Sequence, residues 1–443
     1  MKVKEILEVT KGKLLCGNEE DECINFIRDS REIKEGDVYI ALKGEKFDGN
    51  DFCQDAIKNG AKICIVSKEI ETKDNVTIII VKDTLKAMQE IATYKRSLYN
   101  IPTVAITGSV GKTSTKDLVA SVLQQKYKTL KTKGNYNNEI GLPLTILSLK
   151  DEEALVVEMG MNHFGELRKL TNIAKPTVAV ITNIGTAHIG NLGSRENILK
   201  AKLEILEGLV EKTVVINNDD DLLHKWALEN SDKYNIITYG IKNDSKYMAK
   251  NIKLYEDKSE FYFDGELVTV PVGGEHFILN SLCSIAVGKI FDISTKKIIL
   301  GIQKLELSKK RMEIDKSKIG AILINDTYNA NYDSMKAAIC YLKNIPDKRK
   351  IAVLGDMLEL GEFSEKLHEK VGMEVDSNID VLIAVGKEAK YIAKTSKAKE
   401  KYIFDKNMDA TNKIKELMTK DDAILFKASN GMHFNEIVNE LKS

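Results

Sequence analysis

A glycine-containing turn at residues 104–115, which reads VAITGSVGKTST, has the residue types that bind a phosphate. Gly108 and Gly111 carry no Cβ, so their backbone can approach an anion closely. The amides that follow a strand and open a helix point toward such an anion, at the positive end of the helix. Lys112 would reach the outer phosphates as a point charge, and Thr113 would offer its hydroxyl to magnesium. The turn therefore predicts a nucleotide-binding loop.

The spacing of this turn differs from that of the common phosphate-binding loop. Only two residues separate its glycines, where the Walker A pattern has four. An ordinary strand-to-helix turn is the alternative interpretation. An apolar strand pattern before the turn and a long helical pattern after it favour the phosphate loop. Its predicted residues are Gly108, Ser109, Val110, Gly111, Lys112, Thr113 and Ser114.

Two further side chains follow apolar runs that read as strands. Glu158 ends the run ALVVE, and His188 follows TVAVITN. Ligands of open α/β sheets gather at the carboxyl ends of the strands, so both side chains are expected near the glycine turn if the strands are neighbours. A carboxylate suits Mg²⁺, whereas histidine is a less usual ligand for it. The alternatives are a solvated or capping carboxylate for Glu158 and a histidine without a ligand for His188.

A lysine inside a helical pattern is a weaker candidate. Lys202 lies in SRENILKAKLEIL, where a lysine normally belongs to the solvated face of the helix. From the pattern alone, the solvated position is the preferred interpretation.

The elements that must position these residues alternate between strand and helix. In the central part of the chain, strands are predicted at 103–106, 155–158, 177–182 and 213–216, with amphipathic helices such as 112–125 and 195–206 between them. This alternation predicts βαβ units and a parallel sheet. Near residues 254–272 the apolar period changes to two, and the pair Asp264-Gly265 predicts a hairpin turn.

Two other blocks flank the central one. The first contains short strands, in GDVYIALKG, AKICIVS and VTIIIV. The last has strands at 321–325, 351–354, 381–385 and 423–426 and reads as a doubly wound unit without its own phosphate loop. The charged segment 307–320 reads as a linker. The predicted fold is therefore α/β in three domains, 1–98, 99–309 and 310–443, which agrees with the chain length of 443 residues.

The composition excludes several classes of protein. Lysine plus arginine equals aspartate plus glutamate, so no basic excess favours nucleic acid as a partner. The six cysteines form no C-x-x-C pair, which disfavours a zinc knuckle or a disulfide scaffold. No run of about 18 apolar residues predicts a membrane span, and the N-terminus lacks a signal-peptide pattern. We expect a cytoplasmic protein.

Ten strings, in order along nearly the whole chain, resemble the Mur ligase family. They are DSREIKEGDVYIALKGEKFDGNDF, TGSVGKTSTK, KGNYNNEIGLPLT, VEMGMNHFGE, NIGTAHIG, KAKLEI, GEHFILNSLCSIAVG, KRMEI, NDTYNANYDSM and VLGDMLELGE. The resemblance implies a domain that binds a UDP-sugar, a central ATP-binding domain with a phosphate loop, and a C-terminal Rossmann-like domain that binds the incoming dipeptide. Within the family, MGMNH and DTYNAN point to the member that adds a dipeptide.

The resemblance also implies an activity. ATP would phosphorylate a substrate carboxylate, and the amine of D-alanyl-D-alanine would displace phosphate from the acyl phosphate on UDP-N-acetylmuramoyl-tripeptide. Lys112 and magnesium would screen the charge that builds during phosphoryl transfer. The expected form is a monomer that serves peptidoglycan precursor synthesis.

Roles for individual residues follow from the same resemblance. Lys112, Glu158, His188 and Lys202 would be catalytic. Thr113 and Glu158 would bind a first magnesium ion and His188 a second, while Lys202 would be carbamylated by CO₂ and thereby become an anionic ligand. Further nucleotide contacts would be Asn280, Arg311, Asp326 and Tyr328. The substrate contacts would be Ser30, Arg31, Asn137 and Asn138 for the sugar nucleotide, and Asn329 and Asn331 for the dipeptide.

Two departures from the family pattern and two rival functions stay open at this point. Tyr332 stands where the family usually has proline, and Asn430 stands where an arginine usually ends KGSR. Both departures concern the specificity for the dipeptide more than the chemistry of ATP. One rival is a ligase that joins a different amino acid or a polyglutamate tail. The other is a nucleotide-dependent switch or a non-catalytic subunit that only binds ATP.

Overall fold

The computed structural model describes residues 1–71, 75–308 and 310–442. Within them the chain folds as three α/β domains, as the sequence predicts. The described strands form four sheets, one in the first domain, two in the central domain and one in the third. The predicted domain ends Lys309 and Ser443 lie outside the described residues.

The first domain is built on a five-stranded sheet. Its helices are α1 (Val3–Thr10), α2 (Cys53–Lys58) and α3 (Thr84–Ser97), with 3-10 helices at Ser30–Glu32 and Gly49–Phe52. Its strands are β1 (Lys13–Cys16), β2 (Phe26–Ile27), β3 (Val38–Ile40), β4 (Ile63–Val66) and β5 (Thr77–Ile80). The spatial order is β1-β5-β4-β3-β2, and only β1 runs antiparallel to its neighbour. The three strands predicted from the sequence are β3, β4 and β5.

The central domain holds a seven-stranded parallel sheet. Its strands are β6 (Thr103–Thr107), β7 (Thr129–Lys131), β8 (Ala154–Glu158), β9 (Val178–Ile181), β10 (Thr213–Asn217), β11 (Asn235–Gly240) and β12 (Tyr247–Met248). The spatial order is β12-β11-β10-β9-β6-β8-β7. Strands β6, β8 and β9 are buried along their whole length, so they read as continuous apolar runs.

The helices of the central domain cover both faces of this sheet. They are α4 (Lys112–Leu123), α5 (Gly141–Leu147), α6 (Glu166–Ala174), α7 (Ile189–Leu192), α8 (Arg195–Leu203), α9 (Asp221–Asn230), α10 (Glu275–Ile290) and α11 (Thr295–Gln303), with a 3-10 helix at Glu204–Gly208. Helix α4 packs against α10 and α11 and is almost wholly buried, which fixes the direction in which its N-terminus points.

A separate antiparallel meander follows the parallel sheet and confirms the predicted change of period. Its strands are β13 (Lys250–Leu254), β14 (Ser259–Phe263) and β15 (Glu266–Val270). The turn residues Asp264 and Gly265 both have positive φ, at 49° and 80°. Positive φ at both central residues is the geometry that an Asp-Gly hairpin turn favours.

The third domain has a six-stranded sheet in the order β16-β17-β21-β18-β19-β20. Its strands are β16 (Glu313–Lys316), β17 (Ile322–Asn325), β18 (Arg349–Gly355), β19 (Val381–Val385), β20 (Glu400–Phe404) and β21 (Asp422–Lys427). Its helices are α12 (Tyr332–Lys343), α13 (Ser364–Glu374), α14 (Lys390–Thr395), α15 (Asn407–Leu417) and α16 (Phe434–Lys442), with 3-10 helices at Gly361–Phe363 and Asn430–Met432. The doubly wound prediction is confirmed.

Residues 307–320 were predicted to form a linker, and this prediction is wrong for the part that forms strand β16. This strand pairs antiparallel with β17 at the edge of the sheet. Its backbone hydrogen bonds hold it there, so it needs few buried side chains, and Ile314 stays exposed. An edge strand can therefore have a charged sequence with few apolar residues, which does not show the usual strand pattern.

In the described part of the chain, no helix is both long enough and apolar enough to cross a membrane.

Candidate active site

Three neighbouring strands bring the predicted site residues to one edge of the central sheet. Strand β6 lies between β8 and β9, and its residue Ile106 stands opposite Glu158 while Thr107 stands opposite Ile181. The glycine turn after β6 is therefore adjacent to the ends of both neighbours. The expected adjacency of these strands is confirmed.

The glycine turn requires residues without a Cβ. Gly108 has φ +152°, and a Cβ there would lie 1.9 Å from Oγ1 of Thr182. Gly111 has φ +83° and precedes the first residue of α4. Asn183 fixes the turn from the side, because its carbonyl and side-chain oxygens accept from the amides of Ser109 and Val110 at 3.0 and 2.9 Å.

Lys112 lies at the start of α4 with its ammonium directed back to the turn. Its Nζ donates to the carbonyl of Gly108 at 2.8 Å. Burial lowers the pKa of Lys112; the carboxylate of Glu158 opposes this shift and the charge of Arg311 adds to it. The lysine thus lies in a poorly solvated place where a bound anion would stabilise its charge.

Two residues hold the carboxylate of Glu158. The hydroxyl of Thr113 donates to Oε2 at 2.8 Å, and Nδ2 of Asn137 donates to Oε1 at 2.8 Å. Glu158 is buried, with 2% of its surface exposed. Arg311 from the third domain donates to the Thr113 hydroxyl oxygen at 2.8 Å. A buried anion therefore faces a cation across one hydroxyl.

Arg311 is ordered by aromatic stacking. Its guanidinium lies 4.0 Å from the centre of the Tyr328 ring. Its buried Nε has no hydrogen-bond partner among the described residues. An unsatisfied buried donor beside a phosphate-loop pattern fits an anionic ligand.

A buried ion pair lies beside this arginine. Nζ of Lys427 is 2.5 Å from Oδ2 of Asp326 and 3.1 Å from the carbonyl oxygen of Asn329. The other oxygen of Asp326 accepts from the amide of Met312 at 3.4 Å, next to Arg311. The pair therefore holds the segment that carries Arg311.

His188 contacts the third domain. Its Nδ1 is 3.0 Å from Oε2 of Glu359, and this hydrogen bond lowers the pKa of Glu359. His188 has a positive φ of 64° and precedes the short helix α7. No group of three or more histidine, cysteine, aspartate or glutamate side chains suited to a metal is found among the described residues.

Lys202 is buried, so the solvated helix face that the sequence pattern alone favours is wrong. Only 1% of its surface is exposed. No ion pair of its ammonium is found in the described part of the chain, and burial lowers its pKa well below the ordinary value, with the charge of Lys112 adding to the shift. Its helix is covered on that side by the core, a fact that the polar pattern of α8 does not reveal.

Asn280 lies behind the glycine turn. Its Oδ1 accepts from the Thr115 hydroxyl at 3.1 Å, and a Cβ on Gly111 would approach that oxygen to 3.2 Å. Four residues earlier on α10, burial lowers the pKa of His276 to about 4; Asp326 opposes the shift and Lys427 adds to it. His276 is thus a neutral imidazole near neutral pH.

A cavity of about 390 Å³ unites most of the predicted residues. Those that line it are Ser109, Val110, Gly111, Lys112, Thr113, Ser114, Asn137, Asn138, Glu158, His188, Asn280, Arg311, Asp326, Tyr328, Asn329 and Asn331. Four predicted residues lie outside its lining, namely Gly108, Lys202, Ser30 and Arg31. A smaller cavity of about 250 Å³ adjoins it and is lined by Lys112, His188, Asn329, Asn331, Glu359 and Asn430, among others.

Ser30 and Arg31 line a separate cavity of about 860 Å³ in the first domain. They lie in a 3-10 turn capped by Asp29. The guanidinium of Arg31 pairs with both carboxylate oxygens of Asp29, at 2.8 and 2.6 Å, and remains 86% exposed. The charge of Arg31 is therefore accessible to a ligand in that cavity.

Several residues that line the main cavity carry no role in the predictions from the sequence. They are Asn162, Glu166, Thr182, Asn183, Asn217, Tyr239, His276, Phe277 and Ser334. The position of Asn183 directly after a buried strand was a usable signal, because the carboxyl ends of parallel strands meet at one edge. Tyr239 and Phe277 carried no such signal, since buried aromatics are usually core residues.

Comparison with known proteins gives a consistent result over the whole chain. Three family models match it: "Mur ligase family, catalytic domain" at residues 24–96, "Mur ligase middle domain" at 106–288, and "Mur ligase, glutamate ligase domain" at 310–430. A Bacillus subtilis (strain 168) protein named UDP-N-acetylmuramoyl-tripeptide--D-alanyl-D-alanine ligase is 37% identical over 451 residues, which cover 99% of this chain and 98% of that protein.

Solved structures agree with the sequence matches. A crystal structure of MurF from Acinetobacter baumannii has a TM-score of 0.91 and 30% identity, covering 100% of this chain and 98% of that one. The MurF ligase of Thermotoga maritima, solved in complex with ADP, has a TM-score of 0.83 and 32% identity, covering 95% of this chain and 97% of that one.

Proposed function

This chain belongs to the Mur ligase family, and on that premise we propose that it is an ATP-dependent ligase that adds D-alanyl-D-alanine to UDP-N-acetylmuramoyl-tripeptide. The relative from Bacillus subtilis carries that activity in its name over nearly the full length of both chains. The structural observation that carries the proposal is the convergence of Lys112, Thr113 and Arg311 on one cavity. The reaction belongs to peptidoglycan precursor synthesis, in the cytoplasm.

The glycine turn fits the triphosphate of ATP. The amides of the turn and the start of α4 offer hydrogen bonds and the positive end of a helix dipole. Nε of Arg311, for which the described residues offer no hydrogen-bond partner, is a further donor from the opposite domain. Lys112 regains a favourable environment when an anion binds, because burial lowers its pKa in the absence of one.

Thr113 and Glu158 fit a magnesium ion. A hydroxyl and a carboxylate are hard oxygen ligands, and they already contact each other at 2.8 Å. Bound magnesium would neutralise charge on the transferring phosphoryl group. His188 is the residue proposed for a second ion, although Glu359 contacts its Nδ1.

Lys202 fits carbamylation on electrostatic grounds. Lowering the pKa of Lys202 raises the fraction of the neutral amine, which is the form that attacks CO₂. The product is a carbamate anion, with one proton released. A carbamate anion at this position would attract the ammonium of Lys112, whereas a protonated Lys202 is repelled by it.

The substrates are proposed to meet between the domains, with domain limits at 1–98, 99–309 and 310–443. The first-domain cavity with Ser30 and Arg31 would take the uridine nucleotide, since a planar guanidinium can pair with two pyrophosphate oxygens. Asn137 and Asn138 line the main cavity beside the phosphate loop. Asn329 and Asn331 line the smaller cavity, whose size suits a dipeptide. We expect a monomer, because each of these sites is built within one chain.

The reaction then follows from charge placement. Attack of the substrate carboxylate on the γ-phosphorus of ATP forms an acyl phosphate and releases ADP; Lys112 and Arg311 stabilise the charge of the transferring group. The amine of the dipeptide adds to the acyl carbon, and the tetrahedral intermediate expels phosphate. The amine loses a proton as the amide forms. Lys112 and His188 border both cavities, so the phosphate and the amine approach one point.

A phosphate-release assay with purified protein tests this function. We expect ADP and phosphate only when ATP, UDP-N-acetylmuramoyl-tripeptide and D-alanyl-D-alanine are all present, together with a product heavier by the dipeptide. Turnover with single amino acids in place of the dipeptide would favour the rival ligases. Background release with all substrates present would favour the ATP-binding switch. Tripeptides that differ at position three identify the preferred diamino acid.

A further inference from the structure

Asp333, in the first turn of helix α12 of the third domain, contacts the central domain with its carboxylate. Oδ2 accepts from the backbone amide of Thr186 at 2.8 Å and from the Thr186 hydroxyl at 3.1 Å. Gly185 makes this approach possible, since a Cβ there would lie 2.2 Å from the same oxygen. The third domain therefore fixes a specific loop of the central domain, residues 183–186.

The same loop holds the phosphate loop on its other side. The amide of Gly185 donates to Oγ of Ser109 at 2.9 Å, and the amide of Ser109 donates to the carbonyl of Asn183 at 3.0 Å. The Gly185 and Thr186 amides belong to consecutive planar peptide units that meet at the Cα of Gly185 and are each held by a hydrogen bond. Asp333 and Ser109 are thus linked through two adjacent peptide units and the hydrogen bonds at either end.

We propose that Asp333 is a positioning residue, which couples docking of the third domain to the geometry of the phosphate loop through Thr186, Gly185 and Ser109. The consequence for turnover rests on the proposed ligase function; the coupling itself does not. A carboxylate that accepts two hydrogen bonds on one oxygen makes charge-assisted contacts, which are stronger than neutral ones. A small displacement of the phosphate loop is costly, because 1 Å of misplacement can lower a rate about 10²-fold.

Other contacts keep the two domains docked without Asp333. His188 pairs with Glu359, and Gly190 on α7 packs against the backbone at Glu359 and Leu360. Loss of the Asp333 carboxylate should therefore leave the domain arrangement in place and release the loop alone. An effect of losing the Asp333 carboxylate on the phosphate loop can therefore be distinguished from a general loosening of the interface between the domains.

Three variants isolate the carboxylate. Asp333→Ala removes both hydrogen bonds to Thr186, whereas Asp333→Asn keeps an acceptor oxygen of the same reach. Asp409→Ala is the matched control, because Asp409 also lies in the first turn of a third-domain helix but is exposed, on α15. Thermal unfolding of each variant establishes that it is folded.

Amide hydrogen exchange, resolved by fragmentation to Gly185 and Thr186, tests the coupling without ligation. In Asp333→Ala we expect exchange about tenfold faster at both amides, with a smaller increase in Asp333→Asn, which keeps a neutral acceptor, and with Asp409→Ala close to wild type. Faster exchange at Thr186 with unchanged exchange at Gly185 would overturn the proposal, since the contact would then be local.

Steady-state ligation provides the second readout. Asp333→Ala should lower kcat about 10- to 100-fold with a smaller change in the KM for ATP, and Asp333→Asn should recover kcat to within about threefold of wild type. Wild-type kcat in Asp333→Ala would overturn the positioning role. Absence of ligation in wild type would instead contradict the proposed function, while the exchange result would still decide the coupling.

Discussion

The hydroxyl of Thr113 donates a 2.8 Å hydrogen bond to Oε2 of Glu158, so the two proposed magnesium ligands are already in contact. The oxygen of the same hydroxyl accepts from Arg311 at 2.8 Å. A cation from the third domain thus stands next to the carboxylate that would bind the metal. The site combines a preformed oxygen pair with a positive charge that balances it.

Replacing Glu158 by glutamine should remove most of the ligation activity. The amide keeps the size of the side chain but loses the anionic oxygen that a divalent cation prefers. We expect kcat to fall about 10²- to 10³-fold, the scale of losing one electrostatic stabiliser of a transition state. Mn²⁺ binding in the presence of ADP, followed by electron paramagnetic resonance, should weaken in parallel. Glu139→Gln on the exposed surface is the control, and unchanged Mn²⁺ affinity in Glu158→Gln would exclude a ligand role.

Asn137 was predicted as a contact of the sugar nucleotide, yet its amide holds Oε1 of Glu158 at 2.8 Å. Asn137→Ala should therefore lower metal affinity about 10- to 100-fold, as loss of a hydrogen bond to a metal ligand typically does. The measurement is again Mn²⁺ binding with ADP, beside the KM for the UDP substrate. A raised KM for that substrate with normal Mn²⁺ affinity would show the opposite assignment to be correct.

The location of the candidate phosphate site could be predicted from the sequence, because its residues follow strands that are neighbours in the sheet. Residues after β6, β8 and β9 converge since these strands are neighbours, and local patterns located all three strand ends. The edge strand β16 was not predicted, because it is held in the sheet by backbone pairing with β17 and its sequence lacks the apolar side chains that mark a buried strand. Lys202 was assigned a role through the family resemblance alone, because burial of a polar helix face depends on tertiary packing and leaves no local pattern. Contacts across domains, such as Asp333 with Thr186, have no local signal at all.

Lys202→Ala should abolish most of the activity, and short carboxylic acids should restore part of it. The small acid would supply the anionic oxygen that the proposed carbamate would provide in the intact protein. Rescue is measured as kcat against the concentration of added acetate or formate, with Lys200→Ala on the same helix as control. Electron density for a carbamate on Lys202 gives an independent check. Density for an unmodified amine in protein grown with bicarbonate would contradict the modification.

His276 should make the protein less stable in mild acid. Burial lowers its pKa to about 4 from an ordinary 6.5, so between these values the unfolded chain binds a proton that the folded chain does not. Stability is therefore lost as pH falls below 6.5. At pH 5 the loss is about 2 kcal/mol relative to His276→Gln, while near pH 8 the two proteins should show no pH-dependent difference. Urea unfolding at both pH values tests this, and equal loss in both proteins would assign the effect to other groups.

Gly190→Ala should weaken the docking of the third domain on the central one. A Cβ at Gly190 would lie 2.6 Å from the carbonyl oxygen of Glu359 and 2.7 Å from the carbonyl carbon of Leu360, and these backbone atoms cannot rotate away. Overpacking of this kind costs about 1–3 kcal/mol, although alanine by itself favours a helix over glycine. Any loss of stability in Gly190→Ala would therefore come from the interface between the domains and not from the helix itself.

Small-angle scattering and ADP binding together distinguish the consequences of this substitution. We expect a larger radius of gyration and a lower kcat, with ADP affinity changed less because the phosphate loop belongs to the central domain. Gly44→Ala is the matched control, since its added Cβ would meet only the carbonyl of Phe47 at an ordinary 3.6 Å. A wild-type radius with unchanged kcat would mean that the contact at Gly190 yields without moving the domain. In that case other contacts between the two domains, such as His188 with Glu359 and Asp333 with Thr186, would hold the third domain in place.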